Sequence, residues 1–376
     1  MTAVSNAMDQ QKGSDDKPLL VVDDLRTYFE VPAGSVKAVD GVSLSLGRGR
    51  TLGVVGESGS GKTVLSRSIM GLNVASNAHT TGSVLYDGQE LVGMPIKDMK
   101  HLWGASMAMV FQDPMTSLNP VVKVGRQLTE HMRHHLGLSK AEAKENAVEL
   151  LRSVRIPEPE ERFGNYPHQL SGGMRQRVSI AIALACGPKM LFADEPTTAL
   201  DVTVQHQILN LLAQQQQERG MTMILVTHDL GVVAGRADEI AVMYAGKVVE
   251  KAPTKTLFSE MHHPYTQALL WSIPKTSNPK HTRLSAISGR PPDLVNPPSG
   301  CKFSPRCPYA QDRCHEEEPS LAKGVGEGHT FACHMPVGSP ASQEAFDRNL
   351  EAGLPQTLAA AGRIGATEDL PIESWQ

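Results

Sequence analysis

Short apolar runs separated by helical repeats dominate the hydrophobic pattern of the chain. Continuous apolar runs predict strands that are buried on both faces, and they occur at residues 51–55, 107–111, 190–193 and 221–226. Segments with a helical period lie between them, and one of these covers residues 64–72. Strands that alternate with helices over roughly 230 residues predict an α/β fold built on a mainly parallel sheet.

Near the N-terminus the pattern changes to strict alternation, which is typical of antiparallel strands. Residues 19–30 and 36–46 predict two such strands, and residues 81–91 predict a hairpin that turns at Asp87-Gly88. Helical periodicity prevails afterwards, and Ser139 is the predicted N-cap of one helix there. We therefore expect one main domain, residues 18–255, with a parallel core, an antiparallel β subdomain and a helical insertion over about residues 114–185.

Composition divides the rest of the chain into three parts. Prolines become frequent beyond Pro253, and four of the five cysteines fall between positions 301 and 333. We expect residues 256–338 to form a separate, loop-rich C-terminal extension that contains the cysteines. Residues 1–17 and 339–376 are small and polar, and they predict a disordered and a flexible tail.

Charge and hydropathy exclude several classes of protein. The 376 residues include 36 Lys and Arg and 40 Asp and Glu, a formal net charge of −4, so no basic field indicates nucleic-acid binding. No run of about 18 apolar residues predicts a membrane span. The first 17 residues lack the apolar core of a secretory signal. We expect the chain to remain in the cytosol.

A glycine-rich loop joins the strand at residues 51–55 to the helix that follows. Its sequence, GESGSGKT, has the spacing G-x-x-x-x-G-K-[ST]. Glycines allow successive backbone amides to surround a polyphosphate at the N-terminus of a helix. The lysine would add a charge at the β- and γ-phosphates, and the threonine a hydroxyl ligand for Mg²⁺. The candidate nucleotide-binding residues are Gly56, Ser58, Gly59, Ser60, Gly61, Lys62 and Thr63.

Four polar residues mark the ends of three other apolar strands. Asp194 and Glu195 end the strand at residues 190–193, and Gln112 and His228 each come just after another strand. Open α/β sheets bind their ligands at the carboxyl edge of the strands. We predict Asp194 and Gln112 as ligands of Mg²⁺, Glu195 as the base for water, and His228 as a hydrogen-bond partner of the γ-phosphate. The two acidic residues could alternatively cap a helix.

A second glycine-rich loop, LSGGMRQ, precedes a predicted helix. Its candidate phosphate-binding residues are Ser171, Gly172 and Gly173, through a hydroxyl and backbone amides. A chain with one lysine-bearing loop and one serine–glycine loop suggests a pair of subunits, in which each completes the other's site.

Together these motifs resemble the ATP-binding subunit of an ABC transporter over about residues 18–255. The match comprises a Walker A loop at residues 56–63, a Q-loop at Gln112, a signature at residues 170–177, a Walker B run that ends at Asp194-Glu195, a D-loop that ends at Asp201, and a switch histidine at His228. The resemblance implies a P-loop NTPase fold, ATP and Mg²⁺ as cofactors, and hydrolysis with Glu195, His228 and Gln112 as catalytic residues.

The same resemblance implies further contacts to the nucleotide. Members of the family stack an aromatic ring on adenine shortly before the Walker A loop. Phe29 is the candidate for this ring, and its neighbour Tyr28 is the alternative. Asp201 is a candidate nucleotide contact of the D-loop.

The C-terminal extension resembles that of oligopeptide and dipeptide importer ATPases. Its matching segments are HPYTQALL, then GCKFSPRCPYAQDRCHEEEP and FACH. The resemblance implies peptide import, a second ATPase subunit that is commonly a different chain, two transmembrane permease subunits and an extracytoplasmic binding protein. It also implies a peripheral position at the cytoplasmic face of the inner membrane. The alternatives are an importer of nickel or sugar and a soluble ABC ATPase that acts on ribosomes or DNA.

Four cysteines of the extension form a candidate metal centre, with the spacing Cys301-x5-Cys307-x6-Cys314-x18-Cys333. Clustering in a reducing compartment favours metal binding over disulfides. The paired C-x2-C knuckles of zinc sites are absent, and the family resemblance favours a [4Fe–4S] cluster. Zinc, with His315 or His334 as substitute ligands, and a metal-free module are the alternatives.

Overall fold

The computed structural model describes residues 17–113, 117–197, 200–273, 287 and 289–352. The strands are β1 (Leu20–Val31), β2 (Gly34–Leu46), β3 (Thr51–Val55), β4 (Ala78–Tyr86), β5 (Gln89–Glu90), β6 (Met107–Val110), β7 (Met190–Asp194), β8 (Thr222–Thr227), β9 (Glu239–Tyr244), β10 (Lys247–Pro253), β11 (Ala322–Lys323) and β12 (Thr330–Phe331). The helices are α1 (Lys62–Ile69), α2 (Ile96–Leu102), α3 (Val124–Leu136), α4 (Lys140–Ser153), α5 (Pro159–Arg162), α6 (Gly172–Leu184), α7 (Val202–Arg219), α8 (Leu230–Ala234), α9 (Thr254–Ser259), α10 (Pro264–Trp271), α11 (Asp312–Glu316) and α12 (Pro340–Glu351). Single 3₁₀ turns occur at Pro167–Gln169 and Ser304–Arg306.

The larger sheet has the strand order β11-β12-β10-β9-β3-β8-β7-β6, and its central pairings from β9 to β6 are parallel. Strands β3, β7 and β8 are buried at every position, as their continuous apolar sequences predict. The register pairs Val55 with Thr227 and Asp194 with Val226. The carboxyl ends of these strands therefore meet at one edge of the sheet.

The smaller sheet is antiparallel, with the order β2-β1-β4-β5. Asp87 and Gly88 both adopt positive φ, 50° and 80°, at the predicted hairpin turn. A turn of this kind requires left-handed backbone at both central residues, which Asp-Gly tolerates. The parallel core and the antiparallel subdomain predicted from the sequence are both present.

The helical insertion consists of α3 to α6, which packs beside the parallel sheet. Ser139 accepts a hydrogen bond from the backbone of Glu142, whose carboxylate in turn accepts from the backbone of Ser139, so α4 begins with a capping box. The buried positions of α4 recur at helical spacing and join the core that includes Leu128 and Val178. None of the helices within the described ranges combines the length and apolar character of a membrane span.

The C-terminal extension is joined to the main domain, whereas its composition suggests a separate module. Strand β12 pairs with β10 and continues the larger sheet. Two basic side chains of the extension, Lys302 and Arg306, are buried and bonded to Asp40 and Glu57 of the main domain. Polar contacts of this kind leave no periodic signal in the sequence.

The tail also differs from the sequence prediction, which makes residues 339–376 flexible. Helix α12 occupies the first part of this range, with Ser339 as its N-cap and Pro340 at its first turn. Ala345 is fully buried in a small cluster with Tyr309, and the Asn349 side chain donates to the backbone of Pro308 and Ala310. Residues 353–376 and 1–16 lie outside the described residues.

A buried carboxylate fastens the extension to the sheet. Glu250 of β10 and His329 are both 0% exposed, and His329 Nε2 lies 2.9 Å from Glu250 Oε1. The backbone amides of His262 and His263 donate to the same carboxylate at 2.6 and 3.0 Å. Burial alone raises the pKa of Glu250, but these hydrogen bonds outweigh it and lower the pKa below its ordinary value.

We predict that Glu250→Ala lowers the free energy of unfolding by about 3–5 kcal/mol, because it leaves His329 and two amides buried without their acceptor. Urea unfolding at neutral pH measures this. Since the folded pKa of Glu250 is lowered, its stabilisation is complete above the ordinary glutamate pKa and is lost as pH falls through the folded value. The difference in free energy of unfolding between wild type and Glu250→Ala should therefore become smaller in acid.

Glu239→Ala is the matched control on the neighbouring strand. Glu239 pairs with Lys251 at 2.7 Å but its side chain is 37% exposed, so its loss should cost at most about 1 kcal/mol. Equal losses in the two variants would contradict the role assigned to Glu250.

Candidate functional site

The phosphate loop, residues 56–63, connects β3 to α1 at the carboxyl edge of the sheet. A Cβ at Gly56 would lie 2.1 Å from the carbonyl oxygen of Met243, and one at Gly61 would lie 2.1 Å from that of Ala38. Gly61 also has a φ of 100°, in the left-handed region. Close backbone packing therefore requires glycine at both positions, and it fixes the path of the loop.

Lys62 lies at the start of α1 with its side chain folded beneath the loop. Its Nζ donates to the carbonyl oxygens of Gly56 and Glu57 at 2.7 and 2.9 Å, and lies 3.9 Å from Glu195 Oε1. Burial lowers the pKa of Lys62, and the neighbouring carboxylates partly oppose that shift. Ser60 is 4% exposed, and its hydroxyl has no hydrogen-bond partner within the described residues. Both side chains carry hydrogen-bond donors that an anion in the loop would accept.

Thr63 and Asp194 bring two oxygen atoms together beside the loop. Thr63 Oγ1 donates to Asp194 Oδ1 at 2.9 Å. Burial raises the pKa of Asp194, the bond from Thr63 opposes the shift, and the charge of Glu195 adds to it. A cation would offset the repulsion between the carboxylates of Asp194 and Glu195. The residues therefore fit Mg²⁺, which prefers oxygen ligands.

Glu195 is the centre of a second group of polar side chains. Gln112 Nε2 donates to Glu195 Oε2 at 3.1 Å, and His228 Nδ1 lies 3.5 Å from the same oxygen. Glu195 has a φ of 44°, which non-glycine residues adopt rarely and at a cost. Its backbone amide is fixed by the carbonyl of Val226 at 3.0 Å. The hydrogen bond to Glu195 raises the pKa of His228 against the effect of burial.

These residues line an open cleft of about 900 Å³. One wall is the phosphate loop with Gln112, Glu195 and His228. The C-terminal extension also lines the cleft, mostly with apolar side chains, through Leu269, Ser272, Ile287, Pro291 and Leu294. The extension therefore belongs to the nucleotide cleft, which its sequence does not indicate.

Neither candidate for the adenine-stacking ring lies on the walls of this cleft as described. Phe29 is partly buried in β1, where it pairs with Val36 and Ala78. Tyr28 donates its hydroxyl to Asp40. The prediction that Phe29 stacks on the base stays a prediction.

The second glycine-rich loop lies apart from the cleft. Ser171 is exposed and caps α6, accepting a hydrogen bond from the backbone of Met174 at 3.3 Å. Gly172 and Gly173 form the first turn of that helix. None of the three lines the chain's own cleft in the described structure. Of the three, Ser171 is exposed, and Gly172 and Gly173 are partly buried.

The D-loop is described only in part, because residues 198 and 199 lie outside the described ranges. Asp201 is exposed and caps α7, accepting a hydrogen bond from the backbone of Val204 at 3.0 Å. A capping role thus accounts for its position in this chain, and its contact with a nucleotide stays a prediction.

The four cysteines of the extension converge on one small cavity of about 10 Å³. All of them are free, and Cys301, Cys307, Cys314 and Cys333 line this cavity together. Burial raises the pKa of Cys301 to about 11 and that of Cys333 to about 12. Even so, no group of three or more His, Cys, Asp or Glu side chains in the described residues is arranged to hold a metal ion. The iron–sulfur and zinc sites suggested by the sequence are therefore not borne out by this geometry.

Comparison with known proteins finds family matches in two segments of the chain. The family profile "ABC transporter" matches residues 39–198, and "Oligopeptide/dipeptide transporter, C-terminal region" matches residues 249–314. The dipeptide transport ATP-binding protein DppD of Escherichia coli (strain K12) is 48% identical over 319 residues, which cover 85% of this chain and 97% of that protein. The chain belongs to the ABC transporter family.

Other ABC proteins agree in sequence and in fold. The oligopeptide transport ATP-binding protein OppD of Bacillus subtilis (strain 168) is 50% identical over 312 residues, 83% of this chain and 87% of that protein. Among solved structures, the dimeric ATP-binding cassette MJ0796 bound to ADP and phosphate matches with a TM-score of 0.57 and 26% identity, covering 62% of this chain and 98% of that one. The cassette cbiO1 of Clostridium perfringens matches with a TM-score of 0.55 and 28% identity, over 65% of this chain and 92% of that one.

The fold and the class of activity follow from this membership. The chain is an ABC ATPase with a P-loop NTPase fold, and ATP and Mg²⁺ are the cofactors of that activity. Sequence motifs do not identify three residues at the phosphate loop. Glu57 lies within the loop, and Tyr265 and Arg306 contact it. Glu57 stands at a variable position of the loop motif, and the other two lie more than two hundred positions away. The sequence shows only that an arginine, Arg306, stands beside Cys307, and this position carries no signal of burial or of contact with the loop.

We predict that Glu195→Gln lowers the pKa of His228, because the charged partner that raises it is removed. Side-chain NMR titration of the histidines measures the change. Asp229→Asn is the control, since Asp229 contributes least among the groups that raise this pKa. A His228 pKa that stays the same in Glu195→Gln would show that the two side chains do not interact as described.

Proposed function

We propose that the chain powers the import of dipeptides or oligopeptides through an ABC transporter by binding and hydrolysing ATP. The convergence of Gln112, Glu195 and His228 beside the phosphate loop supports hydrolysis at this site. The match of residues 249–314 to the peptide-transporter C-terminal region, and the peptide-transport names of its relatives, support peptide as the cargo class.

In the proposed mechanism the backbone amides of the loop and Lys62 bind the β- and γ-phosphates. Thr63 and Asp194 would hold Mg²⁺, with Gln112 as a further ligand, and the metal would neutralise charge on the phosphates. Glu195 would orient the attacking water and accept its proton. His228 would donate a hydrogen bond to the γ-phosphate. The contacts that already join Glu195 to Gln112 and His228 keep these groups within reach of one another.

A second ATPase subunit would complete each site. The turn at Ser171, Gly172 and Gly173 would bind the γ-phosphate held by its partner, and the cleft of this chain would receive the partner's signature loop. The dimeric form of the similar cassette MJ0796 supports this arrangement. We propose that this second ATPase subunit is a different chain.

The remaining partners would be two permease subunits and, indirectly, an extracytoplasmic substrate-binding protein. The chain would lie at the cytoplasmic face of the inner membrane as a peripheral subunit. Gln112 and the helical insertion after it would transmit the motion caused by ATP binding and hydrolysis to the permeases.

The proposal is tested on the complex that co-purifies with the tagged chain from membranes. Reconstituted in liposomes with its binding protein, the complex should hydrolyse ATP faster when dipeptides or oligopeptides are present. Glu195→Gln should still bind ATP but lose turnover by at least about a hundredfold, since it lacks the general base. Glu145→Gln, an exposed change on α4, is the matched control.

Several outcomes would contradict this proposal. Stimulation by nickel or by sugars in place of peptides would change the cargo class. Co-purification with ribosomes or DNA in place of permeases would remove the transport role. Near-normal turnover of Glu195→Gln would reject Glu195 as the base.

For the cysteine module we propose a [4Fe–4S] cluster held by Cys301, Cys307, Cys314 and Cys333. The support is that four free thiols face one cavity. A single Zn²⁺ needs thiolates about 2.3 Å from one point, and no three such ligands are so arranged within the described ranges. The four thiols match the number of thiolates that hold a [4Fe–4S] cluster. Its role would be structural.

Anaerobically purified protein should contain about four irons per chain with matching sulfide and a brown absorbance. Cys314→Ser should lose most of this iron, because Cys314 lines the cavity. Cys186→Ser should keep it, since Cys186 is the fifth cysteine and lies at the end of α6. Stoichiometric zinc, or a metal-free wild-type protein, would overturn the cluster.

A further inference from the structure

Glu57, the first variable residue of the phosphate loop, is hydrogen-bonded through its side chain, its backbone amide and its carbonyl. Arg306 Nη1 donates to Glu57 Oε2 at 2.6 Å and Arg306 Nη2 to Glu57 Oε1 at 2.9 Å, which makes a two-pronged ion pair. The Glu57 backbone amide donates to Tyr265 Oη at 2.8 Å, and its carbonyl accepts from Lys62 Nζ at 2.9 Å. The partners of the side chain and of the amide, Arg306 and Tyr265, both belong to the C-terminal extension.

Arg306 is also held by contacts outside the phosphate loop. Its side chain is 4% exposed, and it also donates to Tyr244 Oη at 3.2 Å and to the carbonyl of Ile287 at 3.3 Å. Tyr244, Tyr265 and Phe303 pack against one another with ring centroids 4.6–5.4 Å apart. The guanidinium that binds Glu57 is therefore also bonded to this aromatic cluster, through Tyr244.

We propose that Arg306 is a positioning residue of the ATP site, and that with Tyr265 it holds Glu57 so that the phosphate loop stays in its binding conformation. A loop that is already ordered loses less conformational freedom when it binds its ligand. The carbonyl of Glu57 also positions Lys62, so the hold extends to the charge that meets the phosphates. This proposal rests on ATP binding at this loop and is independent of the transported cargo.

The competing explanation is that Arg306 only docks the extension onto the main domain. Lys302 provides the comparison, because it lies four positions earlier and its side chain is 8% exposed. Its Nζ donates to Asp40 Oδ2 at 2.8 Å and to the carbonyl of Ala245 at 2.9 Å, neither of which belongs to the phosphate loop. A docking contact and a positioning contact can therefore be separated within one short segment.

The experiment measures binding of a non-hydrolysable ATP analogue with Mg²⁺ to the purified full-length chain by calorimetry. Arg306→Met should weaken binding about tenfold, which corresponds to a loss of about 1.4 kcal/mol. Lys302→Met should leave binding within about twofold of wild type. It should lower the thermal midpoint about as much as Arg306→Met does. Arg306→Lys, which keeps the charge but not the fork, should fall between wild type and Arg306→Met.

A double-mutant cycle with Glu57→Gln gives the second readout. If Arg306 acts through Glu57, then Arg306→Met should have little further effect in the Glu57→Gln background. In the assembled transporter, Arg306→Met should raise KM for ATP more than it lowers kcat, because the lost contact orders the loop before reaction.

Three results would overturn the proposal. They are unchanged binding in a folded Arg306→Met protein, equal weakening by Lys302→Met, and fully additive effects of Glu57→Gln and Arg306→Met. Failure of the wild-type chain to bind the analogue would instead reject the ATP-binding role described above.

Discussion

The parallel register of β3, β8, β7 and β6 is the constraint on which the site depends. Pairing of Val55 with Thr227, Asp194 with Val226, and Val110 with Ala193 ends these strands at one level. The residues that follow are the phosphate loop, His228, Glu195 and Gln112. Backbone hydrogen bonds thus bring together side chains from four distant parts of the sequence.

Most of the core fold could be predicted because its signals are local. Continuous apolar runs identify β3, β7 and β8, Asp87-Gly88 identifies a hairpin, and Ser139 identifies the start of α4. In each case a few neighbouring residues decide the backbone conformation. The positions of Gln112, Glu195 and His228 could be predicted for the same reason, since each lies one or two residues after a strand.

The C-terminal extension could not be predicted in the same way. Its attachment depends on single buried polar pairs, such as Glu250 with His329 and Lys302 with Asp40, which have no period and no characteristic neighbours. The apolar residues with which it lines the nucleotide cleft are ordinary in composition. Helix α12 was missed because its sequence is mostly polar and only Ala345 and Ser342 are buried on it.

The ion pair between Glu57 and Arg306 has a consequence for the evolution of such chains. The two positions are 249 residues apart, yet their side chains form a two-pronged ion pair. A substitution at either one alone leaves the other charge poorly compensated next to the nucleotide. Sequences that change one should therefore change the other in step, and this covariation would link the most recognisable loop of the chain to a segment outside its ATPase motifs.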